Sequence, residues 1–95
     1  MTKREIAKCI VNEFENQIGS IRKVTLLGHY KYASNYHFEL LLKDYKMTSM
    51  IIIISLNNCE FEIWNLINVN ENISSWKLRL LQKAIDKLNI IMRYK

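Results

Sequence analysis

A helical hydrophobic pattern opens the chain, with apolar residues every three or four positions: Ile6, Ile10, Phe14 and Ile18. This spacing places them along one side of an α-helix. Thr2 precedes the stripe and Glu5 follows three residues later, which is the pairing of a capping box at a helix start. Gly19 follows the last apolar position, where helices commonly end. The pattern predicts an amphipathic helix over residues 3–18.

The middle of the chain changes to a period of two, which is typical of β-strands. Alternating apolar and polar residues predict strands over 22–30 and 36–42, separated by a polar tip at 31–35. A connection over 43–48 leads to an isoleucine-rich stretch at 50–56, and isoleucine favours the pleated, buried surface of a sheet.

The isoleucine stretch is followed by Asn57 and Asn58 and then by a further alternating segment over 59–64. Asparagine tolerates the left-handed conformation that a two-residue hairpin turn requires. The segments are therefore predicted to form a hairpin with Asn57 and Asn58 as its turn. The resulting pairs are Leu56 with Cys59, Ile54 with Phe61, and Ile52 with Ile63.

A second helical stripe closes the chain, and its apolar positions are Leu78, Leu81, Ile85, Leu88 and Met92. An asparagine-rich loop over 65–74 precedes it, and Ser74 or Ser75 supplies a suitable N-cap. The order of elements predicts a single α+β domain over residues 1–95, αββββα. Its four-stranded antiparallel meander has both helices on one face.

The predicted register leaves the other sheet face unusually apolar for a face in contact with water. Its members include Leu27, His29 and His37, and the residues assigned to a partner-binding surface are Leu41, Ile51, Ile53, Trp64, Glu39, Glu60 and Glu62. An exposed apolar patch of this kind commonly marks an interaction site, for a protein partner or for a second copy of the chain. A helix crossing to this face, or a register slip of one residue, would remove the patch.

The net charge of +5 is compatible with a nucleic-acid partner as an alternative. The meander collects basic and aromatic residues at one end: Arg22, Lys23, Lys43, Tyr45, Lys46 and Lys77. Basic groups interleaved with tyrosine suit phosphate contacts and base stacking, although lysines at loop ends are commonly only solvated.

Candidate catalytic residues are few and lack a recognisable motif. Glu39, Glu60, Glu62, His29 and His37 could together hold a divalent metal, but alternating glutamates on a strand more often protect a sheet edge. Cys9 and Cys59 lack metal-site spacing and a local catalytic motif. We therefore predict a non-enzymatic protein without a metal or another cofactor.

The charged N-terminus is followed by no apolar leader, and the longest apolar run, at 50–54, is far too short for a membrane span. These features predict a cytoplasmic protein with no membrane partner. Abundant Ile, Asn and Lys indicate an AT-rich genome, such as that of a phage or a low-GC bacterium. The expectation is a small interaction protein that regulates or inhibits a macromolecule, of the anti-CRISPR type that phages and mobile elements encode.

Overall fold

The computed structural model describes residues 2–17, 21–44, 49–68 and 75–94. The elements are helix α1 (Lys3–Gln17), strands β1 (Ile21–Tyr32), β2 (Asn35–Asp44), β3 (Ser49–Asn57) and β4 (Glu60–Asn68), and helix α2 (Ser75–Arg93). The predicted αββββα order and the α+β class are confirmed. The predicted helix end at Ile18 and Gly19, and the Ser74 cap, lie outside the described residues.

The predicted N-cap at Thr2 is confirmed. The Glu5 backbone N–H donates to the Thr2 hydroxyl oxygen at 3.2 Å, and that hydroxyl donates to the Glu5 carboxylate at 3.1 Å. Thr2 thereby satisfies a backbone donor that lacks a partner within the first helical turn.

The sheet is an antiparallel meander in the order β1-β2-β3-β4. Both helices pack on one face, where α1 contacts β1 and α2 contacts β4, and the two helices contact each other. The core between the layers contains Ile10, Phe14, Phe38, Leu40, Ile52, Ile54, Phe61, Leu81, Ile85 and Leu88. These positions follow the helical and strand periods seen in the sequence.

The predicted turn of the β3–β4 hairpin is wrong by one residue. Asn58 and Cys59 form the turn with φ angles of 51° and 64°, and Asn57 pairs with Glu60. Leu56 therefore faces Phe61, Ile54 faces Ile63, and the three predicted pairs are wrong. With the turn one residue later, each residue of β3 faces a residue of β4 two positions further along than predicted. A shift of two residues preserves the alternation of a strand, so every side chain near the turn keeps its predicted face.

Bulges interrupt both edge strands. Leu27 is an extra residue in β1 between Leu26 and Gly28, and Trp64 is an extra residue in β4 between Ile63 and Asn65. An extra residue bends a strand and exchanges the faces beyond it, and bulges also protect edges from further pairing. The fourth strand continues to Asn68, so residues 65–68 belong to the sheet and not to the predicted loop.

A side-chain clamp ties α2 to edge strand β4. The Phe61 backbone N–H donates to Oδ1 of Asn89 at 2.6 Å, and Nδ2 of Asn89 donates to the Phe61 carbonyl at 3.0 Å. The amide replaces the strand neighbour that β4 lacks on its outer side. None of the described helices is long and apolar enough to cross a membrane.

Candidate partner-binding face

The sheet face turned away from both helices is called the open face here. Both described helices pack on the opposite side, so no helix among the described residues covers it. One cross-strand row on this face joins Tyr30, His37, Ser55 and Glu62, one residue from each strand in order. Four strands therefore contribute to a continuous surface.

Four rings from three strands form an aromatic cluster on the open face: Tyr30, Tyr32, His37 and Trp64. The His37 ring stacks on Tyr30 at 5.3 Å between centroids, with an interplanar angle of 8°. The Trp64 ring meets His37 edge-on at 4.8 Å, and Tyr32 meets it edge-on at 6.0 Å. Ser55 lies between His37 and Glu62 in the cross-strand row, and its small side chain leaves room for the indole to reach the imidazole.

The rings bury His37 on a face that is otherwise open. His37 is 2% exposed, whereas Tyr32 is 63% exposed and Trp64 is 53% exposed. Nδ1 of His37 is buried without a hydrogen-bond partner among the described residues. Such a group costs about 1–3 kcal/mol of desolvation, so its presence needs a reason other than stability.

Carboxylates surround the aromatic cluster. Loss of solvation raises the pKa of Tyr30 above 10.0, and the hydrogen bond and negative charge of Glu39 raise it further. The Ser55 hydroxyl donates to the Glu62 carboxylate at 3.4 Å, and Glu60 is exposed at the hairpin end. The aromatic cluster therefore lies in an acidic environment, which makes ionisation of the Tyr30 phenol less favourable.

The remaining residues of the predicted partner surface lie beside this cluster. Leu41 and Ile51 are cross-strand partners and half-buried, while Ile53 is only 7% exposed. Ile53 faces the open side but offers little surface for contact. Further apolar surface comes from Ile67 and from Leu27 in the β1 bulge, both about half exposed.

His29 does not lie on the open face, contrary to the sequence-based expectation. The extra residue at Leu27 exchanges the faces, so His29 pairs with Phe38 and its ring lies 6.2 Å from the Phe38 ring. The proposed set of three glutamates and two histidines is therefore divided between the two faces. Among the described residues, no group of three or more His, Cys, Asp and Glu side chains could hold a metal ion.

The basic end is described only in part. Lys23 and Lys43 are direct cross-strand partners, which places two positive charges side by side at the opposite end of the sheet from the hairpin turn. Arg22 lies in β1 and Lys77 in α2, but the positions of their side chains are not described. Tyr45 and Lys46 lie outside the described residues.

A separate groove of about 520 Å³ runs between α1 and edge strand β1. Ala7, Val11 and Leu26 form its floor, and Arg4, Lys8, Asn12 and His29 line it as well. Ala7 is part of the core between the helices and the sheet, and Val11 and Leu26 pack against that core. The groove thus lies on the helix side of the sheet and is separate from the open face.

Both cysteines are free thiols. Cys9 is half-buried on α1, whereas Cys59 is exposed in the turn and borders an apolar groove with Tyr36, Leu56 and Met92. The rings in contact with His37 belong to Tyr30, Tyr32 and Trp64.

Sequence reasoning missed three features of this region: Tyr30 and Tyr32 as members of the site, and the burial of His37. Strict alternation along β1 would turn the tyrosines to the helix side, and only the bulge at Leu27, for which Gly28 is the available signal, brings them to the open face. No signal in the sequence indicates the burial of His37, because it depends on rings from two other strands. Comparison with protein-family models finds none that matches the chain, and comparisons with curated proteins and with solved structures find no similar protein.

Proposed function

We propose that this protein is a non-enzymatic interaction protein that binds and regulates, or inhibits, a protein partner through its open face. The observation that carries the proposal is the exposure of Trp64 and Tyr32 over a buried His37 on a sheet face that no described helix covers. Large aromatic side chains dominate binding energy at protein interfaces. Polar side chains are the usual occupants of a sheet face that serves only for contact with water, and two neighbouring exposed aromatic rings are not.

The apolar centre of the contact comprises Leu41, Ile51 and Trp64, with the exposed parts of Ile67 and Leu27 beside it. Glu39, Glu60 and Glu62 form the polar rim. A buried apolar centre with a polar rim is the usual composition of a specific interface. The AT-biased composition suits an inhibitor encoded by a phage or a mobile element, acting inside its host cell.

The substitution Trp64→Ala tests the proposal. We expect it to weaken partner binding by about 2 kcal/mol or more, because it removes the largest exposed ring of the face. Tyr94→Ala is the matched control, since Tyr94 is an exposed aromatic residue on the helix side of the molecule, just after α2. Proteins captured by the wild type, Trp64→Ala and Tyr94→Ala are compared by quantitative mass spectrometry, and the affinity for the recovered partner is measured by calorimetry.

Circular dichroism of each variant separates loss of binding from loss of fold. Unfolding of Trp64→Ala would mean that the indole serves the structure and not a partner. Unchanged capture by a folded Trp64→Ala would contradict the proposal. If capture were lost only on reversing the charges of Lys23 and Lys43, and fell steeply with salt, the nucleic-acid alternative at the basic end would replace it.

A further inference from the structure

The aromatic end of the open face has a charge opposite to that of the whole chain. The chain carries a net charge of +5, yet Glu39, Glu60 and Glu62 lie around the aromatic cluster. Lys31 is adjacent in sequence to both tyrosines of the cluster but points to the helix side, where its Nζ lies 5.8 Å from the Tyr36 ring centre. By the register, no described lysine or arginine shares this end of the open face.

The exposed rings provide a second, independent property of the same site. The faces of tryptophan and tyrosine attract cations, and tryptophan does so most strongly. Trp64 and Tyr32 lie 6.3 Å apart between ring centres, at an interplanar angle of 47°, and both are more than half exposed. Two inclined rings beside carboxylates form a surface that favours a flat cation over a neutral or an anionic group.

The buried imidazole supplies a third property. Nδ1 of His37 lies beneath these rings without a hydrogen-bond partner among the described residues. Buried polar atoms without a partner are uncommon in folded proteins, so this end of the open face differs from an ordinary sheet surface. The guanidinium group of arginine is planar, always charged and stacks on aromatic rings, so it suits the exposed rings and the carboxylates better than the ammonium group of lysine.

We infer that the aromatic and acidic end of the open face binds a basic segment of the partner protein, with an arginine side chain stacked on Trp64. The inference rests on the proposed function and adds the chemistry of the partner. Exposed rings on a sheet also stack nucleobases, but single-stranded nucleic acid requires basic groups along its phosphates. Carboxylates occupy those places here, so a protein segment is favoured.

The test uses a five-residue glycine–arginine peptide with two arginines, together with a counterpart in which neutral citrulline replaces arginine. Binding is followed by ¹H–¹⁵N NMR through the indole N–H signal of Trp64, which Trp64→Ala assigns. We expect the arginine peptide to shift this signal, with the citrulline peptide binding roughly tenfold more weakly. Trp64→Ala lacks this signal, so its binding is followed through the backbone amide signals of the same spectrum. It should bind the arginine peptide more weakly than the wild type by a similar factor.

Charge is tested with Glu60→Gln/Glu62→Gln, which keeps an acceptor for the Ser55 hydroxyl. The matched control is Glu13→Gln/Glu15→Gln, which removes two negative charges from α1, on the helix side of the sheet. Arginine-peptide affinity should fall about fivefold or more in the first variant and change little in the second. Equal binding of the arginine and citrulline peptides, or equal affinity of the two double variants, would overturn the inference.

The inference and the proposed function fail in different ways. If Trp64→Ala loses the captured partner while Glu60→Gln/Glu62→Gln retains it, the open face binds a protein but the contact is not cationic. If Trp64→Ala retains the partner, the proposed function itself fails. A shift of the Trp64 signal by a twelve-nucleotide RNA, and not by the arginine peptide, would overturn the inference in favour of nucleic acid.

Discussion

Replacement of Asn89 by alanine tests how the open face is held in place. The Asn89 amide makes two hydrogen bonds to the Phe61 backbone, at 2.6 and 3.0 Å, and Phe61 is nearly fully buried in edge strand β4. The clamp thereby fixes the strand that carries Glu60, Glu62 and Trp64 against α2.

The magnitude follows from the number of bonds. Each hydrogen bond contributes about 0.5–1.5 kcal/mol net, so Asn89→Ala should lower the free energy of unfolding by about 1–3 kcal/mol. Alanine also favours a helix more than asparagine does, by up to about 0.7 kcal/mol, which offsets part of the loss. Asn12→Ala measures this second effect alone, because Asn12 is exposed within α1 and no hydrogen bond engages its side chain among the described residues.

Urea unfolding followed by circular dichroism gives the free energy of unfolding of each variant. The difference between Asn89→Ala and Asn12→Ala should be about 1–3 kcal/mol, which corresponds to a fall in Tm of about 10 °C at the middle of that range. Asn89→Asp should be at least as unstable as Asn89→Ala at pH 7, because its carboxylate faces the Phe61 carbonyl. A difference below about 0.5 kcal/mol between the two alanine variants would refute the role of the clamp.

Two further predictions concern the turn and the aromatic cluster. Cys59→Gly should stabilise the protein by about 0.5–1 kcal/mol, because φ is 64° at this position. The left-handed conformation costs a residue with a side chain more free energy than glycine loses in conformational entropy on folding. A Tm below that of the wild type would contradict this prediction. Because the pKa of Tyr30 is raised on folding, its stabilising contribution is complete below pH 10 and decreases as the pH rises from 10 through the raised value. Tyr30→Phe should therefore lose less stability than the wild type above pH 10, as measured by urea unfolding at a series of pH values.

The fold was predictable because apolar residues recur every three or four positions in the helices and every two positions in the strands. The stripe through Ile10 and Phe14 in α1, and the alternation through Phe38 and Leu40 in β2, both point to the core that the structure contains. The hairpin turn was not predictable to the residue. Registers that differ by two place the same side chains in the core, so hydrophobic pattern cannot distinguish a turn at Asn57 from one at Asn58.

The bulges account for most of what the sequence did not predict about the site. Gly28 within β1 was the available signal, since an isolated glycine in a strand often marks a bulge. Because that signal was not used, strict alternation along β1 assigned His29 to the wrong face of the sheet. The β4 bulge has no such marker, yet it makes Trp64 the extra residue opposite Ile53 and Ile54. Alternation up to Ile63 still places Trp64 on the open face, and that prediction agrees with the structure.

The energetics of His37 favour a functional origin for the aromatic cluster. A leucine or phenylalanine at this buried position would leave no polar atom unsatisfied, and the unpaired Nδ1 costs about 1–3 kcal/mol. In a domain of 95 residues, whose total stability is about 5–15 kcal/mol, that cost is a large fraction. Departures from local rules concentrate at functional sites. The departure here lies beneath the exposed Trp64 and Tyr32, the two rings on which the proposed partner contact rests.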